Sequence, residues 1–298
     1  MSGRPHGPRV VVVGGGHGLA ATIRAVRRYA GMTTAVVATA DDGGSTGRLR
    51  SAMDMPAPGD VRRCLVAMAG IEQHPLGKAL EYRFTGTDVE GHALGNLLLA
   101  ALGAVTDDFL SAIDEVARLL GLDPATARVL PATVEPVRLR ARTATGAEVV
   151  GQVAVSTCTD IASVSLDPPD AKAPDGLVDA VLQADQVVLG PGSLYTSVLS
   201  AAIAADVREA IAATTAERVY VCNLRAERAE TRGYDALRHV EALQAHGIEP
   251  DVVLVHAEVA TDLRVDPGIK TVTADLARPH GLAHDSVKLG AALAAMTR

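Results

Sequence analysis

Two glycine-rich turns are the residues whose type and spacing most directly indicate chemistry. Gly14–Gly18 follows the apolar run Arg9–Val13, Gly190–Gly192 follows the apolar run Gln186–Leu189, and a helical pattern comes after each turn. A strand that enters such a turn before a helix presents unpaired backbone N–H groups. Together with the positive end of the helix dipole, these groups bind phosphate. Two such turns predict a ligand with more than one anionic group, such as a nucleotide or a nucleotide-sugar.

The first turn only partly resembles a dinucleotide fingerprint. One register, from Gly16 through Gly18 to Ala21, fits the pattern G-x-G-x-x-A. The alternative interpretation is a tight turn that binds no ligand. The strand before the turn and the helix after it favour the ligand-binding interpretation. Gly15, Gly16 and Gly18 are therefore candidate binding residues. His17 either lines the turn or takes part in chemistry.

Two adjacent carboxylates, Asp41 and Asp42, follow the second predicted strand. Asp41 comes roughly 20 residues after the glycine turn, where dinucleotide-binding folds place the carboxylate that binds ribose. Alternatively, the pair holds Mg²⁺, whose coordination shell substrate phosphates would complete. A solvated turn is the third interpretation, because Asp-Gly is common in turns. The position of the two carboxylates directly after a strand favours a binding site over a solvated turn.

Polar residues at the starts of three predicted helices are further candidates. Asp60 fits an N-cap. Arg62 follows it in the first turn, where a cation opposes the helix dipole unless it faces an anion. Asn96 lies four residues after His92 and shares its helix face, so the two residues either reach a ligand or pair with each other. After the second glycine turn, the hydroxyl groups of Ser193 and Thr196 either cap the helix or donate to phosphate. We favour phosphate binding, so Gly192 in the same turn is also a candidate binding residue.

Composition excludes several classes of function. A net charge of −7 over 298 residues argues against broad binding to nucleic acid or anionic membranes. Three widely separated cysteines fit a reducing cytosol, and no apolar run approaches the length of a membrane span. The sequence has no P-loop, no HExxH and no zinc-binding spacing. We therefore expect a cytoplasmic protein.

Alternating apolar runs and helical patterns predict an α/β fold, with an open, mainly parallel Rossmann-type sheet and helices on both faces. Residues 134–157 alternate around Thr145-Gly146, which predicts an antiparallel hairpin insertion. Residues 1–8 are expected to form a disordered tail and residues 9–298 a single domain. The segment Asp41–Arg50 is predicted to be a polar loop.

Several segments, in this order, resemble the gluconeogenesis factor family, which is YvcK-like and belongs with the CofD-like proteins. They are GGGHGL, VVATADDGGSTGRLR, PAPGDVRRCLVAMAG, GHALGNLLLAAL, ADQVVLGPGSLYTSVL and VYVCNL. The family is related to 2-phospho-lactate transferase. The chain looks like a divergent member, because His17, Arg63 and Ala283 depart from the usual pattern.

The resemblance implies a CofD-like fold in a cytoplasmic protein with a role in cell shape and envelope metabolism on gluconeogenic carbon sources. It also implies binding of UDP-sugars such as UDP-N-acetylglucosamine, with no established reaction. The ligand-binding residues that it implies are Gly15, Gly16, Gly18, Asp41, Asp42, Ser45, Arg48, Asn96, Gly192, Ser193 and Thr196.

Three hypotheses follow. The first is a regulatory protein that binds a nucleotide-sugar without turnover and signals to partner proteins. The second is a Mg²⁺-dependent phosphoryl or nucleotidyl transferase like the CofD relatives. The third is a nicotinamide-dependent oxidoreductase, which we rank last because the glycine pattern is irregular. We do not expect nucleic acid as a partner or insertion into a membrane. Whether the protein forms a homo-oligomer is left open.

Overall fold

The core of the protein is a parallel sheet of seven strands. The computed structural model describes residues 7–106, 108–225, 229–258 and 268–297. The strands of the sheet are β1 (Arg9–Gly14), β2 (Met32–Val37), β3 (Ala127–Pro131), β7 (Gln186–Leu189), β8 (Glu217–Val221), β9 (Val252–His256) and β10 (Lys270–Ala274). Nearly continuous valine and other apolar residues form β1, β7 and β9, as expected for strands that are buried on both faces, whereas the edge strand β10 is partly exposed.

The strand order is β10-β9-β8-β7-β1-β2-β3, and every neighbouring pair is parallel. From β1 the chain moves outward through β2 to β3, and from β7 it moves outward the other way. β1 and β7 are therefore the neighbours between which the winding direction reverses. In open α/β sheets, ligands bind outside the carboxyl ends of the strands at this switch point. Both glycine-rich turns begin there.

Helices cover both faces of the sheet, which confirms the expected fold class. Val10 and Val12 of β1 pack into one apolar cluster, with helices α1, α3, α6 and α12. Val11 and Val13 pack into the other, with α8, α10 and α11. The helices are α1 (Gly16–Val26), α2 (Gly44–Met53), α3 (Pro58–Ala69), α4 (Pro75–Glu81), α5 (Leu94–Thr106), α6 (Phe109–Leu119), α7 (Gln152–Ser156), α8 (Leu177–Leu182), α9 (Ser200–Ala202), α10 (Ala205–Ala213), α11 (Ala236–Ala245) and α12 (Ser286–Ala294).

A second, antiparallel sheet contains the predicted hairpin. Its strands are β4 (Arg138–Thr143), β5 (Glu148–Val150) and β6 (Ile161–Asp167), in the order β5-β4-β6. The hairpin ends earlier than its alternation indicates, because Gly151 starts helix α7. The third strand, β6, was not expected from the pattern. Leu139 and Ala141 of β4 join the same apolar cluster as α8 and α11.

The expected loop at Asp41–Arg50 is wrong for most of its length. Helix α2 begins at Gly44, directly after Gly43 in an extended conformation. The polar composition of this segment indicated a loop, but the segment forms a helix in which Ser45, Thr46 and Leu49 are buried. Tertiary contacts of these residues outweigh the weak helical preference of Gly, Ser and Thr.

Pro8, the last residue of the predicted amino-terminal tail, contacts the start of β2. The carbonyl of Pro8 accepts the backbone N–H groups of Gly31 and Met32, which ties residue 8 to the start of β2. Residues 1–6 of the predicted tail lie outside the described residues. No helix in the described ranges is long and apolar enough to cross a membrane.

We predict that acid destabilises the fold through a buried histidine on α11. Burial lowers the pKa of His239 to about 4, and its Nδ1 lies 2.7 Å from the Tyr220 hydroxyl. The neutral form is favoured in the fold, so this stability is complete above the unfolded pKa of about 6.5 and is lost as the pH falls to 4. The expected loss is about 3 kcal/mol, at about 1.4 kcal/mol per pKa unit.

Urea unfolding between pH 7 and pH 4 measures this loss. His239→Gln should shrink the acid-induced loss of stability, whereas replacing the exposed His280 with Gln should leave it as in the wild type. An unchanged acid response in His239→Gln would contradict the assignment.

Candidate functional site

The two glycine-rich turns are packed directly against each other. A Cβ atom on Gly18 would lie 2.0 Å from the carbonyl oxygen of Pro191. The Thr22 hydroxyl, on the first helix, donates a hydrogen bond of 2.9 Å to the carbonyl of Gly190. Only a glycine at position 18 allows this approach, so the turns form one continuous floor at the switch point.

Asn223 holds the second turn in place. Its side-chain oxygen accepts the Gly192 N–H at 3.0 Å, and its side-chain nitrogen donates to the Gly192 carbonyl at 2.9 Å. Asn223 lies just beyond the end of β8, the neighbour of β7. Sequence reasoning did not select it, although its place after a strand and its presence in the VYVCNL segment were the available signals.

The helix that follows the second turn begins with a π-helical segment, Leu194–Leu199, which continues into α9. The Val198 N–H donates to the carbonyl of Ser193, which is the i to i+5 spacing of a π-helix. The first N–H groups of a helix have no acceptor within it and point toward the turn. Ser193 stands at the N-cap and Thr196 is buried in the first turn, so both predicted residues border this helix start.

A carboxylate of the protein itself occupies the first turn. Asp60 Oδ2 accepts the Gly16 N–H at 2.7 Å, and Arg63 Nη1 lies 2.6 Å from Asp60 Oδ1. The sequence suggested that Asp60 caps its own helix, but that helix has Ala57 at the N-cap with no side-chain hydrogen bond. Asp60 instead provides a negative charge at the N-terminus of α1, where the dipole favours one.

The anion that Arg62 faces is the carboxylate of Glu81, a residue of the protein itself. Its side chain is 3% exposed and forms two hydrogen bonds with Glu81, at 3.0 and 2.9 Å. Its Nη1 donates to Asn96 Oδ1 at 2.6 Å. The cation at the start of α3 is stabilised by this internal carboxylate, because a buried charge needs a partner.

Asn96 and Ser45 lie together, next to that ion pair. Asn96 Nδ2 donates to Ser45 Oγ at 3.1 Å, and Ser45 Oγ lies 3.0 Å from His92 Nδ1. The fold thus brings two predicted site residues and His92 into one polar chain. Asn96 and Ser45 are buried, so the orientation of both side chains is fixed by these contacts.

The two adjacent carboxylates have different partners. Asp41 Oδ1 accepts the Gly43 N–H at 3.0 Å, and burial raises the pKa of Asp41, with the nearby Asp60 charge adding to the effect. The Thr46 side chain also hydrogen-bonds to the Asp41 carboxyl group. Gly59 packs against both residues, because a Cβ there would lie 2.6 Å from Thr46 Oγ1 and 3.5 Å from Asp41 Oδ2.

Asp42 is engaged elsewhere. Its two oxygens accept the N–H groups of Gln152 and Val153, at 3.1 and 2.9 Å, and so fasten the start of α7. A metal site shared by Asp41 and Asp42 therefore does not fit the donor set. In the described ranges no three His, Cys, Asp or Glu side chains are grouped to hold a metal ion. Asp41 alone stays a predicted metal ligand.

Arg48 stands at the rim of this region. It is exposed, and its Nη2 donates to the Glu90 carbonyl at 2.7 Å, beside Gly91. His17 is also exposed at the first turn, and the charge of Arg63 together with burial lowers its pKa. Both side chains are accessible to a ligand.

We predict that Gly18→Ala disrupts the contact between the turns. The added methyl group would overlap a backbone oxygen that cannot rotate away, so the free energy of unfolding should fall by about 3 kcal/mol or more. Gly103→Ala is the matched control, since a Cβ there meets nothing within 4 Å inside α5. That control should raise stability by about 0.5–1 kcal/mol.

Chemical denaturation of both variants gives the two values. Equal stability of Gly18→Ala and the wild type would show that the turns do not pack as described.

Comparison with known proteins identifies the family of the chain. Residues 10–287 match the family model described as 2-phospho-L-lactate transferase CofD. The gluconeogenesis factor of Bacillus subtilis is 37% identical over 261 residues, covering 86% of this chain and 80% of that protein. A putative gluconeogenesis factor of Mycobacterium tuberculosis is 40% identical, covering 95% and 89%.

A crystal structure of a member of the UPF0052 family from Bacillus halodurans superposes with a TM-score of 0.88 at 36% identity, covering 96% of this chain and 99% of that one. The matches extend over nearly the whole chain and include both turns. The chain belongs to the CofD family, among its gluconeogenesis factors.

Proposed function

We propose that this protein binds a nucleotide-sugar and acts as a regulatory protein of the gluconeogenesis factor type. The observation that carries the proposal is the pair of interlocked turns at the switch point, with Asn223 fixing the backbone of Gly192. A rigid turn at a helix start is suited to an anionic group, because its donors need no rearrangement on binding.

The diphosphate would bind at the second turn rather than across both turns. Asp60 already accepts the Gly16 N–H, and a second anion beside that carboxylate would be repelled. The helix start at Leu194–Thr196 carries the remaining N–H groups. Arg48, exposed at the rim, would supply a charge-assisted hydrogen bond.

Hydroxyl groups of the ribose or the sugar would bind near Asp41. The carboxylate is a hydrogen-bond acceptor, and Asp41 follows the carboxyl end of β2 in the chain. Ser45 of α2 and Asn96 of α5, which are buried and hydrogen-bonded to each other, would support this region from within the protein. Polar groups fixed by internal hydrogen bonds provide orientation and selectivity in such sites.

The proposed ligand is a UDP-sugar such as UDP-N-acetylglucosamine. This identity, a cytoplasmic location and a role in cell shape and envelope metabolism on gluconeogenic carbon rest on the resemblance to the gluconeogenesis factors. Binding would favour one conformation of a surface that partner proteins contact, as ligand signalling requires.

The alternative is a transferase, because the family model is described as 2-phospho-L-lactate transferase. In that case Asp41 would hold Mg²⁺, whose charge would offset the negative charge of the phosphates. Mg²⁺ is commonly held by one or two carboxylates together with substrate phosphates, so a single carboxylate at Asp41 would be enough for such a site. A transferase requires a metal and a product, whereas a sensor requires neither.

Calorimetry with UDP-N-acetylglucosamine, with and without Mg²⁺, separates the two functions when the same mixture is assayed for product. We expect saturable binding without Mg²⁺ and recovery of the intact ligand. Product formation that depends on Mg²⁺ would support the transferase. Absence of binding, with saturation by another nucleotide instead, would contradict the UDP-sugar assignment.

Two variants test the position of the phosphates. Arg48→Ala and Ser193→Ala should each weaken binding by about 1–3 kcal/mol, the range for losing a hydrogen bond to a charged group. Arg118→Ala is the matched control, because that arginine is exposed on α6 and paired with Glu115. Wild-type affinity in both test variants would remove the proposed phosphate site.

A further inference from the structure

A second cavity lies at the opposite edge of the parallel sheet. Its volume is about 310 Å³, and it opens where the strands begin, between the starts of β1, β2 and β3 and helix α8. The glycine turns are at the carboxyl ends of the strands, one strand length away, or roughly 20 Å for six residues. The cavity is therefore separate from the crevice proposed for the nucleotide-sugar.

The strand register places two arginines in this cavity on the same face of the sheet. Arg9 pairs with Met32, and Thr34 is the partner of both Val11 and Arg128. Paired and alternate residues share a face of a sheet. Arg9 and Arg128 therefore point toward α8 from strands two positions apart, or about 10 Å at the usual strand spacing.

Neither guanidinium group forms a direct ion pair within the described residues. Arg9 Nη1 donates to Gln183 Oε1 at 2.7 Å. Arg128 Nη1 lies 3.2 Å from the position of a Cβ on Gly176, so its side chain extends from β3 to the start of α8. Within the described ranges, no carboxylate lies within 4.0 Å of either guanidinium group.

The lining combines this positive charge with apolar surface. The lining contains two arginines and one carboxylate, that of Asp179. Two further carboxylates lie nearby: Asp185 accepts the Arg9 backbone N–H at 2.7 Å, and the charge of Arg128 acts on Asp114. The apolar part consists of Val10, Val11, Met32, Pro124, Ala125 and Ala180. A guanidinium group binds carboxylate or phosphate through paired hydrogen bonds, and the apolar wall suits a carbon skeleton.

We propose that this cavity binds a small organic anion of metabolite size. Its carboxylate or phosphate group contacts Arg9 and Arg128, and its carbon skeleton packs on the wall that includes Met32 and Ala180. A volume of about 310 Å³ is at the small end of ligand pockets, which excludes a nucleotide. The site is independent of the proposed nucleotide-sugar crevice.

Calorimetry with succinate, glycerol 3-phosphate and inorganic phosphate tests the proposal and separates a carboxylate from a phosphate ester. We expect succinate or glycerol 3-phosphate to bind with a Kd below about 1 mM, which corresponds to about 4 kcal/mol. Arg128→Gln should weaken that binding at least tenfold, and Arg118→Gln should leave it unchanged. Arg9→Gln gives the same comparison if Arg128→Gln is unfolded.

Hydrogen exchange on the same samples locates the ligand. Protection of residues 176–183 and of the start of β1 is expected, without protection of residues 190–197. The proposal is overturned if neither organic anion saturates by about 10 mM, if inorganic phosphate binds equally well, if both arginine variants bind as the wild type, or if the crevice alone is protected.

Discussion

The contact between the two glycine turns is the constraint on which the site depends. Gly18 lies so close to Pro191 that no side chain fits between them, and Thr22 donates to the Gly190 carbonyl. This contact exists because β1 and β7 are neighbours in a doubly wound sheet, so their carboxyl ends open at the same point. The topology brings the turns together, and glycine allows them to touch.

Polar side chains of the protein itself bind the backbone of each turn. Asp60 places a carboxylate on the Gly16 N–H, while Asn223 binds both backbone groups of Gly192. The first turn therefore already contacts a carboxylate of the protein, and the proposed external anion is assigned to the helix start after the second turn. Arg62 follows the same rule, since Glu81 accompanies the buried cation. Fixed groups of this kind reduce the ordering cost of binding.

The sequence predicted the sheet, both turns and the antiparallel hairpin, because alternation and glycine punctuation are local signals. It did not predict α2 or the roles of Asp42 and Arg62, because each depends on a partner distant in the chain. Asp42 fastens α7, more than a hundred residues away, and nothing near Asp42 indicates that contact. Asn223 was missed for the same reason, since its partner is Gly192.

A crystal structure with bound UDP-N-acetylglucosamine would show which turn holds the diphosphate. We expect phosphate oxygens against the N–H groups at Leu194–Thr196, with Asp60 still bonded to Gly16 and Asn223 still bonded to Gly192. A diphosphate bonded to Gly16, with the Asp60 carboxylate displaced, would contradict this expectation.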